Sequence, residues 1–97
     1  MNEIFIRQAE ALRRLISDYR EEKLSLNTLI QRIEGIFEVL DNQAWKDAIF
    51  PIVLSMEQVN AFALHEKKHL TEADKSSVAN SLLELEAHIN RFETGQA

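Results

Sequence analysis

The sequence contains no cysteine, and this absence excludes several kinds of site at once. Without cysteine there is no disulfide, no thiol nucleophile and no thiolate ligand for a metal ion. A chain without disulfides suits a reducing compartment. The opening residues Met1-Asn2-Glu3, followed by an apolar triplet and Arg7, do not form the pattern of a secretory signal peptide. We therefore expect a cytoplasmic protein.

Glycine, proline and long apolar runs are also scarce. Two glycines and one proline are too few for the turns of a β-rich protein. The longest apolar stretch runs from Ala48 to Leu54 and is broken by Pro51, whereas a membrane span needs roughly 20 residues. The sequence therefore predicts neither a β-rich fold nor a membrane protein.

The size and charge of the chain narrow the possible functions further. Its 97 residues, 45% hydrophobic and 28% charged, predict one globular domain that covers residues 1–97. The net charge is -5, and residues 24–66 hold six acidic side chains against only two basic ones. A negative surface repels nucleic acid and attracts basic partners. We expect no nucleic-acid binding, because no basic patch is visible in the sequence.

Apolar residues recur with the period of a helix in four segments, which cover about residues 3–22, 26–40, 44–67 and 72–93. Ser25 and Thr71 are the predicted N-caps of the second and fourth helices, and Thr71 forms a capping-box pattern with Asp74. The pattern predicts an all-α fold, an antiparallel four-helix bundle with short connections. Pro51 interrupts the third segment, which is therefore either kinked or split near this residue.

Two residues have predicted roles in packing. Trp45 is in helical register with Ile49 and Ile52, which predicts a place in the core. Gly35 lies inside the second helix, where glycine costs up to about 1 kcal/mol of helix propensity. A close approach of another helix would explain why glycine is tolerated there.

One stretch matches a catalytic motif literally. His65-Glu66-Lys67-Lys68-His69 fits H-E-x-x-H, in which two histidines one helical turn apart bind zinc and the glutamate acts as a base. Two lysines beside a divalent cation are electrostatically unfavourable, and His69 lies only two residues before a predicted N-cap. We therefore predict no catalytic residue, no metal site and no cofactor, and expect the protein not to be an enzyme.

A stripe of carboxylates on the second helix is more informative. Glu34, Glu38 and Asp41 share one face at spacings of four and three residues. Like charges at these spacings destabilise a helix by a few tenths of a kcal/mol, and a basic partner would remove this cost. The alternative is a solvated face that keeps the protein soluble. A weaker stripe with the same spacing, Glu86, Asn90 and Glu93, lies on the fourth helix.

The chain resembles a family of small, acidic, helical bacterial immunity proteins, those paired with colicin D-like toxins and with contact-dependent growth-inhibition toxins. The resemblance is carried by the segment Tyr19 to Ser25 between two amphipathic helices and by Met56 to Leu64 in the third. It implies a cytoplasmic protein that binds a basic nuclease toxin and covers its active site with acidic side chains. On this sequence the candidate contacts are Glu34, Glu38 and Asp41 first, and then Asp47 and Glu57.

Other functions remain open at the level of sequence. A homo-oligomeric helical scaffold or adaptor without catalytic activity is the leading alternative, and surplus apolar residues such as Ile4 and Ile6 suit such a homodimer. An enzyme would depend on the H-E-x-x-H match alone. A DNA-binding regulator would depend on the four arginines of residues 7–23, against the overall charge.

Overall fold

A computed structural model of the protein describes residues 3–39, 42–66 and 69–94, apart from the side chain of Glu66. These residues form four α-helices and no strand: α1 (Glu3–Arg20), α2 (Leu26–Glu38), α3 (Gln43–Glu66) and α4 (Glu72–Glu93). The predicted all-α fold of four helices is confirmed.

Side chains just before three helices satisfy backbone N–H groups that have no partner within the helix. The Ser25 hydroxyl accepts a hydrogen bond from the Thr28 amide at 3.1 Å. Thr71 and Asp74 form the complete capping box, with the two bonds at 3.0 and 3.1 Å. The Asn42 side chain accepts from the Trp45 amide at 3.0 Å and opens α3 in the same way. The predicted caps at Ser25 and Thr71 are therefore confirmed.

Pro51 lies inside α3, which runs through it from Gln43 to Glu66 as one helix. The proline nitrogen carries no hydrogen, so the carbonyl of Asp47 lacks its usual helical donor. Of the two alternatives predicted from Pro51, a split helix is wrong, because packing along the rest of α3 holds it together. A kink at Pro51 stays a prediction.

The four helices enclose one core, in which α1 packs on α2 and α4, and α3 packs on the same two helices. Trp45 is 0% exposed, as its register predicted. Its ring meets the edge of Phe5 at 4.9 Å between centroids and lies 6.0 Å from Phe92. It belongs to a core cluster with members from all four helices, which also includes Leu12, Leu29 and Leu85. Burial of such a side chain contributes roughly 1.5–3 kcal/mol, so this cluster fixes the positions of the helices.

Two ion pairs connect α1 and α4, and their partners occur in opposite order along the two helices. Arg13 of α1 binds Glu93 of α4 at 2.7 Å, and Arg20, seven residues later, binds Glu86, seven residues earlier, also at 2.7 Å. This is the order expected where α1 and α4 are antiparallel.

The surroundings of Gly35 differ from the expectation drawn from the sequence, and Phe62 is exposed although it follows the apolar register of α3. A Cβ atom added to Gly35 would meet nothing within 4 Å, so no helix approaches it closely. Phe62 continues the apolar register of α3 but is 61% exposed, because it lies near the end of that helix. The apolar pattern therefore extends beyond what the bundle buries.

Candidate functional site

The two acidic stripes, alike in spacing, have different surroundings in the fold. On α4, Glu86 and Glu93 are paired with Arg20 and Arg13 of α1, and Asn90 also accepts a hydrogen bond from Arg13 at 2.6 Å. Hydrogen bonding from Arg13 lowers the pKa of the Glu93 carboxyl. The α4 stripe is therefore neutralised inside the molecule and is not available to a basic partner.

On α2, by contrast, the stripe meets a third carboxylate from α3 and forms an open hollow. Buried Ile33 on α2 and Val53 on α3 turn the neighbouring Glu34 and Glu57 toward the seam between the two helices. The hollow has a volume of about 240 Å³. We call it the acidic hollow, and it is lined by Glu34, Phe37, Glu38, Phe50, Val53 and Glu57.

The carboxylates of the acidic hollow repel one another. Partial burial raises the pKa of Glu34, and the hydrogen bond to the Glu57 carboxyl and the charges of Glu57 and Glu38 raise it further. None of the ion pairs formed within residues 3–39, 42–66 and 69–94 includes any of these three carboxylates. A cation from outside would therefore meet negative charge that the described part of the chain leaves uncompensated.

Two aromatic rings give the acidic hollow an apolar wall. The centroids of Phe37 and Phe50 lie 6.4 Å apart, with the ring planes inclined at 42°. Phe50 is 53% exposed, so its ring is accessible. The Lys46 ammonium lies 5.9 Å from the centroid of Phe37, within the range of a cation–π contact. One ring of the hollow is thus already next to a positive charge.

An apolar stripe continues from the hollow along the outside of α3. Its members, which we call the outer stripe, are Phe50, Leu54, Ala61 and Leu64, and all four are exposed. Their spacings of four, seven and three residues place them on one helical face, which Glu57 shares. Several exposed apolar residues on one helical face, unlike single scattered ones, favour a binding surface.

The outer stripe makes α3 apolar on two sides. By length and composition alone, Gln43–His65 is apolar enough to cross a membrane, and 22% of its most apolar window is buried, whereas the core helix of a water-soluble protein is mostly buried. The stretch from Ala48 to Leu54, which Pro51 breaks, does not reveal this property, which emerges only over the whole helix. A helix that is apolar all round is found in protein cores as well as in membranes.

The sequence-based candidates divide into three groups. Glu34, Glu38 and Glu57 come together in the acidic hollow. Asp47 is exposed, accepts a hydrogen bond from Gln43 at 2.8 Å and does not line the hollow. Asp41 lies outside the described residues. The sequence did not identify Phe37 and Phe50 as parts of the site. Phe50 and Leu54 were a usable signal, because they are apolar residues one helical turn apart that lie off the core face of α3.

A second, larger hollow lies between the end of α1, the residues before α2 and the start of α4. It has a volume of about 620 Å³, and its walls include Arg20, Lys23 and Lys75. Each of these cations is paired with a glutamate: Arg20 with Glu86, Lys23 with Glu21 and Lys75 with Glu72. This hollow therefore has little free charge with which to select a ligand.

The H-E-x-x-H match does not form a helical zinc site. α3 ends at Glu66, and His69 lies beyond it in a non-helical segment, so His65 and His69 are not one turn apart on a helix. Lys67 and Lys68 lie outside the described residues. Within the part of the chain that the structure describes, no three metal-binding side chains form a group.

Comparison of the chain with protein-family models, with curated proteins and with solved structures gives no match.

Proposed function

We propose that this protein is an immunity protein, which binds a basic bacterial toxin, such as a nuclease domain, and blocks its active site. The observation that carries the proposal is the acidic hollow, where Glu34, Glu38 and Glu57 converge beside exposed aromatic rings. Charge complementarity speeds the encounter of two proteins and selects the partner, whereas aromatic anchors supply much of the affinity. The hollow combines both features on one face.

The arginines of α1 support a protein partner over nucleic acid. Arg7, Arg13 and Arg20 are each paired with a glutamate of the same chain. A DNA-binding surface needs several unpaired cations along one face to contact phosphates. The basic residues that favoured a DNA-binding regulator are therefore largely used in internal ion pairs.

A homo-oligomeric scaffold is the second candidate, favoured by the exposed outer stripe and by Ile4 and Ile6, which are also exposed. A symmetric dimer formed through the outer stripe would bring Glu57 and its neighbours close to their own copies. Like charges facing each other across an interface cost several kcal/mol. The charge of this face therefore favours a basic partner over a second copy.

We also propose that the protein is cytoplasmic and that α3 is the central helix of a water-soluble bundle. Trp45, Ile49 and Met56 of α3 form part of the core shared with the other helices. Insertion of α3 into a membrane would break these contacts. Recovery in the soluble fraction at physiological salt is expected, whereas recovery only with detergent would contradict this part of the proposal.

The test compares two double variants of equal net charge. Glu34→Gln/Glu57→Gln removes two carboxylates from the acidic hollow. Glu10→Gln/Glu84→Gln removes two exposed carboxylates that form no ion pair within the described residues. Each tagged protein is used to capture partners from the source strain, and the captured protein is identified and expressed with and without the wild-type bait.

The expected partner is a basic protein that is toxic when expressed alone and harmless when co-expressed with the wild type or with the Glu10/Glu84 variant. Protection by the Glu34/Glu57 variant should be reduced. Capture of a non-toxic protein, or of further copies of this chain alone, would contradict the immunity function. The second result would support the scaffold instead.

A further inference from the structure

We propose that the acidic hollow receives a single arginine side chain, with its guanidinium group beside the Glu34 and Glu57 carboxylates and against the rings of Phe37 and Phe50. The inference rests on the proposed function, in that it supplies the chemistry by which a basic protein is recognised. It goes further in naming the side chain and its position. The wider basic surface of the partner then speeds the encounter, and one arginine determines the specificity.

The acidic hollow is lined by both carboxylates and aromatic rings, and this combination favours arginine over lysine. A guanidinium group is planar and has five N–H donors, which match carboxylate oxygens in pairs, and its faces stack on aromatic rings. It is also less strongly hydrated than an ammonium group, so it enters a partly apolar site at lower cost. The acidic hollow offers carboxylates on both helices and two inclined rings within one space of about 240 Å³.

The side chain of Lys46 places a cation beside the hollow. Its ammonium lies 5.9 Å from the centroid of Phe37, yet it forms no ion pair with a described carboxylate. Lys46 therefore covers one ring of the hollow and leaves the charge of Glu34 and Glu57 uncompensated. An incoming arginine would displace it from Phe37, so Lys46 acts as an internal competitor.

The opposed carboxylates carry a cost in the free protein. Glu34 and Glu57 repel each other where the Glu34 carboxyl is partly buried, beside the rings of Phe37 and Phe50, which contact each other with their centroids 6.4 Å apart. A guanidinium group beside the carboxylates removes this repulsion. The binding free energy therefore includes relief of a cost already present in the free protein.

The test uses three blocked tripeptides, acetyl-Gly-X-Gly-amide with X as arginine, lysine or the neutral arginine isostere citrulline. Binding is followed by NMR through the ring signals of Phe37 and Phe50 and the side-chain carboxyl of Glu34. The arginine peptide should bind saturably and roughly two- to fivefold more tightly than the lysine peptide, the range expected for one stacking contact at an exposed site. Citrulline should not bind.

Two pairs of variants locate the site. Glu34→Gln/Glu57→Gln should abolish arginine binding, whereas Glu10→Gln/Glu84→Gln should preserve it. Lys46→Met should tighten binding by more than Lys75→Met, which removes the same charge at an exposed position remote from the hollow. Phe50→Ala, a change at an exposed ring that leaves the core intact, should weaken it.

Several outcomes would overturn the proposal. Equal binding of arginine and lysine peptides, with shifts spread over all acidic side chains, would show general charge attraction only. Absence of binding would overturn the proposal outright. Equal loss in both glutamate pairs would again show general charge attraction only. These results are distinguishable from failure of the proposed function. If the Glu34/Glu57 variant captures and neutralises a toxin as well as the wild type does, the immunity function holds and the arginine site is wrong. If the arginine peptide binds but no toxin is captured, the arginine site holds and the immunity function is wrong.

Discussion

The carboxyl group of Glu34 is partly buried beside Glu57 and near Glu38, and this environment raises its pKa. A carboxyl whose pKa is higher in the folded than in the unfolded chain binds its proton more tightly when folded. Its contribution to stability is therefore present at acidic pH and is lost as the pH rises through the folded-state pKa. At neutral pH the Glu34 carboxylate weakens the fold.

Glu34→Gln should consequently stabilise the free protein at pH 7, by a few tenths of a kcal/mol as expected for relief of like-charge contacts. The gain should disappear at about pH 3.5, below the ordinary glutamate pKa. Urea unfolding at both pH values measures it, with Glu10→Gln as the control at an exposed site. A variant that is less stable than the wild type at pH 7 would show that Glu34 is not repelled by its neighbours.

Gly35 supplies a second test at single-residue scale. It lies in the interior of α2, is exposed, and has open space where a Cβ would be. Gly35→Ala should therefore stabilise the protein by about 0.5–1 kcal/mol, because alanine loses less backbone freedom on folding and fits without contact. Chemical denaturation measures the gain. A loss of stability would instead indicate that another helix packs closely against Gly35.

Among the secondary elements, α4 and α2 show what spacing alone does not reveal. Both helices carry acidic side chains one turn apart, and the two patterns are equivalent in sequence. Their difference comes from arginines of α1 about 66 to 80 residues away along the chain. Only the fold shows that one stripe is neutralised within the molecule and the other faces outward.

This difference predicts opposite responses to neutralisation. Hydrogen bonding from Arg13 lowers the pKa of Glu93, so its contribution to stability is present at neutral pH and is lost as the pH falls through the folded-state pKa, which lies below the usual glutamate value. Glu93→Gln should destabilise the protein at pH 7 and have little effect in acid, the reverse of Glu34→Gln. Thermal unfolding at both pH values compares them directly. Changes of equal sign would mean that the two stripes are not distinguished by their pairing.

Local signals in the sequence predicted the elements well, because caps and helical periodicity depend on neighbouring residues. Ser25, Thr71 and Trp45 all have the roles expected of them. Pro51 was harder, since packing along the rest of α3 decides whether a helix tolerates an internal proline. Local reasoning also overestimated the packing around Gly35.

The site was only partly predictable for a similar reason. Glu34 and Glu38 were identified from spacing within one helix, and Glu57 was named without any indication that it would join them. Their meeting depends on how α2 and α3 pack, which no local pattern specifies. Neither Phe37 nor Phe50 was assigned to a site, yet both rings line the acidic hollow.

At the scale of the whole molecule, uncompensated negative charge and part of the exposed apolar area lie on the same side. The acidic hollow opens beside the outer stripe, while the α1–α4 side is covered with internal ion pairs. A bundle of this size binds a partner most readily through such a mixed surface, because charge guides the encounter and buried apolar area slows dissociation.

The most direct test of this surface is the affinity for the captured basic partner, measured with the Glu34→Gln/Glu57→Gln and Glu10→Gln/Glu84→Gln variants at low and high salt. We expect at least about a tenfold loss of affinity, or 1.4 kcal/mol, for the Glu34/Glu57 variant, and less than about twofold for the Glu10/Glu84 variant. The difference should persist at high salt, because the contacts in the hollow are partly shielded from solvent. Equal losses for the two variants that vanish together in high salt would contradict a specific site at the acidic hollow.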